Sequence, residues 1–429
     1  MNKKLVAVAI AGLLAAPLAQ AQTANVTLYG RLNLDVEVVN GKIVSPSLDP
    51  GTSLTNPFQQ NPGCLTGPNA GTVAACKTSN PNQFRVSSNS SRFGLRGTES
   101  LGGGLNAIFQ IESSVTPDTG GGTLAGRDSW IGFQGSWGTA RFGRFHGPYD
   151  NIHEIWGSNP TLLTGIMATS AIWAQGFAAA VNQFDDRISN SIRWDSPVMS
   201  GFQIQLQYGN SQGGAEGATG TYQNGQASNS GVASAGLYYN NGPIALGAAT
   251  RYNAQQRNKG LNDYAWSVAG SYQFPGVKVG VVYEKLDYDC SITVGITPST
   301  ACNQVTNGVV TSLTRNMFGV GVTINAGPGQ IYADWSYGQE GKGSAPNGAR
   351  VAGLAKGDGS AANQYEISYT YPLSKRTSVY AGYNKIANGA TAAYNFGVNS
   401  YPSSSSGTTG NLAFGGKPQG VVLGAWHNF

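Results

Sequence analysis

Apolar and polar residues alternate one by one along most of the chain, in segments of about ten residues that never merge into a long apolar run. The first segment shows the rule. Between Asn25 and Val36, the residues Val26, Leu28, Leu32, Leu34 and Val36 share one face, and Thr27, Tyr29, Arg31, Asn33 and Asp35 share the other. A period of two is that of a β-strand with different surroundings on its two sides. The last segment repeats it: Val421, Leu423, Ala425, His427 and Phe429 form a mostly apolar row against Val422, Gly424, Trp426 and Asn428.

Counting such segments gives sixteen, beginning near residues 25, 91, 105, 127, 138, 187, 201, 231, 243, 263, 277, 315, 330, 365, 377 and 420. Tight turns such as Asn240-Asn241-Gly242 and Phe274-Pro275-Gly276 join every second pair. The other connections are long and polar: 40–82, 116–126, 145–186, 210–230, 253–262, 287–314, 338–363 and 384–419. An even strand number with short turns at one end and long loops at the other is the asymmetry of an outer-membrane barrel. Closure also removes the sheet edges that lipid cannot hydrate. The expected fold is all-β, a sixteen-stranded antiparallel transmembrane β-barrel. Tyr208, Tyr272, Phe274, Tyr283, Tyr337, Tyr371, Tyr383 and Trp426 lie near strand ends, where aromatic girdles form.

Composition agrees with this pattern. Only 11% of residues are charged, against about 25% in soluble domains. Mean hydropathy is −0.20, because each apolar row is balanced by a polar one. At the start, Met1-Asn2-Lys3-Lys4 is basic, Leu5 to Leu18 is apolar, and Ala19-Gln20-Ala21 has the small-x-small form of a cleavage site. Residues 1–21 are expected to be a signal peptide, and 22–429 one barrel domain exported through the periplasm to the outer membrane. Cleavage would remove two lysines and leave 24 basic against 21 acidic residues, a net charge of +3.

Other chemistries find little support. The cysteines fall as Cys64/Cys76 and Cys290/Cys302, each pair twelve apart in polar sequence. Four cysteines allow three connectivities, of which disulfide pairing within each loop is the simplest. His146, His153 and His427 lie far from them, so no zinc pattern, metal or cofactor is expected. No Gly-x-Ser-x-Gly frames a nucleophile near His146 or His153, which argues against an enzyme. Gly102-Gly103-Gly104 is followed by no Gly-Lys-Ser/Thr, and the basic residues are dispersed, so neither phosphate cradling nor nucleic-acid binding is expected.

Several stretches match a known pattern in order and spacing. They are Val26 to Arg31, Ser91 to Glu99, Arg127 to Phe133, Trp137 to Arg144 and the final strand to Phe429. Together they resemble the Gram-negative general porin family across essentially the whole mature chain. The resemblance implies a homotrimer in outer-membrane lipid and lipopolysaccharide, each barrel a passive pore for small hydrophilic solutes and ions. It implies a third external loop, about 145–186, folded inward to narrow the pore, with Asp150, Glu154, Asp185 and Asp186 as its acidic side. Through their flanking motifs, it points to Arg92, Arg127 and Arg187 as constriction arginines.

Strand parity extends that basic wall. Arg31 opposes Leu32, Arg92 and Arg96 oppose Phe93 and Leu95, and Arg141 opposes Phe142. Arg187 and Arg193 oppose Ile188, Ile192 and Trp194. An arginine facing lipid at mid-bilayer depth costs about 2–4 kcal/mol, which turns all of these toward water. Arg127 shares parity with Ile131 and Phe133, so a bulge or the strand's outer end must re-aim it. Arginines at a narrow point concentrate anions, and a moderate anion preference is expected. A substrate-specific channel for a sugar or organic acid would need a track continuing beyond Tyr29 and Arg31. An adhesin would be a barrel without conductance.

Overall fold

The computed structural model describes residues 25–44, 78–157, 159, 165–175, 184–211, 220–222, 226–228, 230–256, 260–290, 310–351, 353–401 and 411–429. The expected signal peptide and Cys64, Cys76 and Cys302 lie outside these residues. Cys290 is buried and disulfide-bonded.

Sixteen antiparallel strands close one barrel among the described residues. They are β1 (Asn25–Asn40), β2 (in two pieces, Gln83–Ser88 and Arg92–Gly102), β3 (Leu105–Val115), β4 (Ser129–Gly135), β5 (Gly138–His146) and β6 (Arg187–Asp195). Then come β7 (Phe202–Ser211), β8 (Gly231–Asn241), β9 (Ile244–Ala254), β10 (Asn262–Phe274) and β11 (Val277–Cys290). The set ends with β12 (Thr311–Ala326), β13 (Gly329–Gly338), β14 (Ala362–Pro372), β15 (Thr377–Asn388) and β16 (Gln419–Asn428). Each strand pairs with the next, and β1 closes on β16 from Arg31 opposite Asn428 to Asn40 opposite Gln419.

Strands reach beyond their sequence pattern on the long-loop side. β12 begins at Thr311 and β11 runs on to Cys290, because the apolar row ends where hydrocarbon ends while the backbone ladder continues. β2 starts at Gln83 and is broken at Asn89-Ser90-Ser91, where Ser90 has φ 56°. Its two pieces pair with the two halves of β1.

The barrel is apolar outside and polar inside. On β1, Val26, Leu28, Leu32, Val36 and Val38 are 41–61% exposed, while Asn33, Asp35 and Glu37 are at most 3% exposed. Such an inversion is stable only where hydrocarbon surrounds the barrel. The outer end of β6 departs from the expected alternation. Ile188 is buried inside the barrel, because Asn190 takes φ 49° and the β5–β6 register shifts between Ile188 and Ser191. That bulge reverses the parity of the strand's outer end, so the alternation that set Arg187 inward against Ile188 does not hold there: Arg187 stands opposite His146, in the row across from Ile188. Trp426 belongs to the inner row of β16, with the Arg31 guanidinium 5.8 Å from its ring, and takes no part in an outer girdle.

The third loop folds into the bore. It forms a short helix, α1 (Asn151–Trp156), and packs Tyr149, Ile152, Ile155, Trp156, Ile172 and Trp173 against Ala265, Ala269, Val282, Leu286 and Met317 of the wall. Each large side chain so buried contributes about 1.5–3 kcal/mol. Two glycines make the approach possible. A Cβ on Gly280 would lie 2.6 Å from the Trp156 Cα, and one on Gly321 would lie 2.5 Å from the Trp156 carbonyl oxygen.

Candidate functional site

The narrow part of the bore has a basic wall built on β1 to β6. Arg31 and Arg92 stand directly opposite one another across the β1–β2 ladder. Glu112 of β3 is their counter-charge, with its carboxylate 3.5 Å from Arg92 Nε, 2.6 Å from Arg127 Nε and accepting from the Tyr29 hydroxyl at 3.0 Å. Arg31 donates to Asn428 at 2.8 Å, and Arg96 lies 5.1 Å from the Tyr29 ring.

Arg127 reaches this group through a one-residue slip. Gln110 is opposite Trp130 in the β3–β4 ladder, so an unbroken register would set Glu112 opposite Asp128. Instead the Arg127 amide donates to the Glu112 carbonyl at 3.1 Å. A slip of one exchanges the two faces, which turns the Arg127 side chain inward beside Glu112.

The remaining arginines form two further groups. Arg187 pairs with Asp128 at 2.5 Å, and His146 lies 3.9 Å from the same carboxylate and 3.4 Å from Asp150. Toward the short-turn end, Arg141 and Arg193 both bind Asp195, the latter at 2.7 Å. Five of these arginines thus share three carboxylate partners on this wall, Glu112, Asp128 and Asp195.

The acids of the third loop do not form a single face. Asp150 and Asp185 lie close enough to interact, and Asp150 also feels the charge of Arg187. Asp186 is tied to the buried Arg251 at 2.5 Å and so fastens the loop's end to β9. Glu154 lines a cavity of about 320 Å³ together with Gln203, Gln205 and Lys278. Burial pulls the His153 imidazole down to about 3, so it is neutral, and its ring nitrogen meets the Thr169 hydroxyl.

Sequence reasoning did not single out the partners. Glu112, Asp128 and Asp195 hold the arginines, and Glu284, Arg315 and Arg251 hold the loop. Their signal was available for Glu112, Glu284 and Arg315, each a charge in the inner row of an otherwise alternating strand.

A closed barrel with an apolar exterior, a charged bore and a loop folded across it has the architecture of an outer-membrane channel. The chain belongs to the Gram-negative porin family, whose family model matches residues 6–391. It is 29% identical over 288 residues to the major outer membrane protein P.IA of Neisseria meningitidis serogroup C, covering 63% of this chain and 65% of that protein. An outer membrane porin protein of Bordetella pertussis is 27% identical over 320 residues, covering 68% of this chain and 76% of that protein. Among solved structures, the anion-selective porin from Comamonas acidovorans superposes with a TM-score of 0.64 at 21% identity, covering 95% of this chain and 100% of that one. The chain thus spans roughly two thirds to three quarters of these curated relatives. Family and fold are those of outer-membrane channels.

Proposed function

We propose that the protein is a passive diffusion channel for small hydrophilic solutes and ions, moderately selective for anions, and that it works as a homotrimer. The observation that carries the selectivity is the Arg31–Arg92–Arg127 group around one carboxylate, Glu112. Exposed charges act over about 8 Å at physiological salt, so this local excess matters more than the net charge of the chain. Arg187 supports the same wall, and the inward fold of the third loop supports a constriction beside it. The trimer rests on family membership.

Reconstituted into a planar bilayer under a KCl gradient, the unheated trimer should conduct and show a reversal potential of the sign that chloride preference requires. A reversal potential of the opposite sign would overturn the anion reading, and a silent bilayer would favour the adhesin.

A further inference from the structure

Behind the third loop, on the far side from the arginines, the barrel wall carries two acids without a basic partner. Asp334 of β13 and Glu366 of β14 stand directly opposite in the ladder, point inward, and are 6% and 4% exposed. Neither is stabilised by an arginine or lysine among the described residues. Two facing carboxylates buried together repel one another, and each loses its hydration.

Each acid has one oxygen in use. Asp334 Oδ2 accepts from the Ser336 hydroxyl at 2.9 Å, and Glu366 Oε1 accepts from the Asn159 amide. The other two oxygens, Asp334 Oδ1 and Glu366 Oε2, have no hydrogen-bond partner. Around them stand further oxygens in the same condition. Tyr332 and Ser368 face each other one inward step along the same ladder, are almost fully buried, and their hydroxyls are also unpartnered. The position of the Tyr332 hydroxyl is fixed by Gly321, which is the β12 residue opposite Asp334. A Cβ on Gly321 would lie 2.8 Å from that hydroxyl and 2.5 Å from the Trp156 carbonyl oxygen at the end of α1. Loop carbonyl and phenol therefore meet over one glycine, whose ladder partner is Asp334.

This donor set contains only oxygen, and it carries two negative charges once a bound cation holds both carboxyls ionised. It suits a hard cation and gives a softer metal no nitrogen or sulfur. Among the described residues no three His, Cys, Asp or Glu side chains are placed to hold a metal ion by themselves, so neutral oxygens must complete any shell. Calcium takes six to eight oxygens from carboxylates, carbonyls, hydroxyls and water in flexible geometry, whereas magnesium demands a regular octahedron.

We propose that a calcium ion binds between Asp334 and Glu366, with the Trp156 carbonyl among its ligands, and ties the end of α1 to the β12–β14 wall. The site is separate from the arginine cluster, so its failure would leave the selectivity reading intact.

The test uses lipopolysaccharide-free full-length barrel refolded in detergent and stripped with EDTA. Calorimetric titration with CaCl2 should give one site per chain. Terbium should bind the same site, with luminescence sensitised by Trp156 and quenched by added calcium. The Asp334→Asn/Glu366→Gln double variant, checked for folding by heat-modifiable gel migration, should lose both signals, and Asp334→Asn alone should bind at least tenfold more weakly. No calcium uptake by wild type would overturn the proposal without reference to any variant. Undiminished uptake by the folded double variant would overturn it equally.

Discussion

Replacing Glu284 by alanine should loosen the third loop and lower the unfolding free energy of the barrel by about 3–5 kcal/mol. Glu284 and Arg315 form a fully buried ion pair at 2.8 Å on the wall that the loop covers. One Glu284 oxygen accepts from the Tyr149 hydroxyl at 2.6 Å and the Ala174 amide at 2.8 Å, both on the loop. Arg315 donates to the Ile172 carbonyl at 2.7 Å, also on the loop, and to the Tyr394 hydroxyl at 2.8 Å. Alanine leaves a buried guanidinium without its charge partner, and two loop donors without an acceptor, each worth about 1–3 kcal/mol. Glu284→Gln keeps the volume and one acceptor, so its loss should be smaller. Denaturant unfolding in detergent followed by tryptophan fluorescence measures the difference. Single-channel records of the alanine variant should show larger and noisier conductance. Wild-type stability together with a wild-type current would remove the pair from this role.

The second large effect is on selectivity. Replacing Arg92 and Arg127 together by glutamine should turn the channel from anion to cation preference. A unit charge about 5 Å from a passing ion shifts its energy by about 0.8 kcal/mol in a water-like dielectric before screening. Both arginines also neutralise the same carboxylate, so their removal leaves Glu112 exposed to the bore without an ion-pair partner. Subtraction of two positive charges and release of one negative act in the same direction. The chloride-to-potassium permeability ratio should fall on the order of tenfold. Reversal potentials of wild type and variant in one KCl gradient provide the comparison, and an unchanged ratio would deny these arginines their part.

Period-two reading revealed the barrel because only one physical contrast, hydrocarbon against water, shapes every strand. It placed Arg31, Arg92 and Arg141 on the inner face correctly, and it marked Arg127 as the residue whose parity demanded an irregularity. The slip opposite Glu112 is that irregularity. The same reading misplaced Ile188, since a bulge at Asn190 leaves no mark in the alternation of a short strand. Alternation also reveals which face a side chain takes, but not what lies across the bore. The loop's fastening to Glu284, Arg315 and Arg251, and its seat on Gly280 and Gly321, join residues more than a hundred positions apart in several cases. Nothing local in the chain announces those contacts.

The most direct measurement concerns neighbouring positions on β2. Arg92→Cys puts a thiol on the inner face and Phe93→Cys puts one on the outer. A charged, membrane-impermeant thiosulfonate added to single reconstituted channels should alter the current stepwise in Arg92→Cys and leave Phe93→Cys unchanged. Equal modification of both, or current changes only in Phe93→Cys, would contradict a barrel whose alternate side chains are divided between water and lipid.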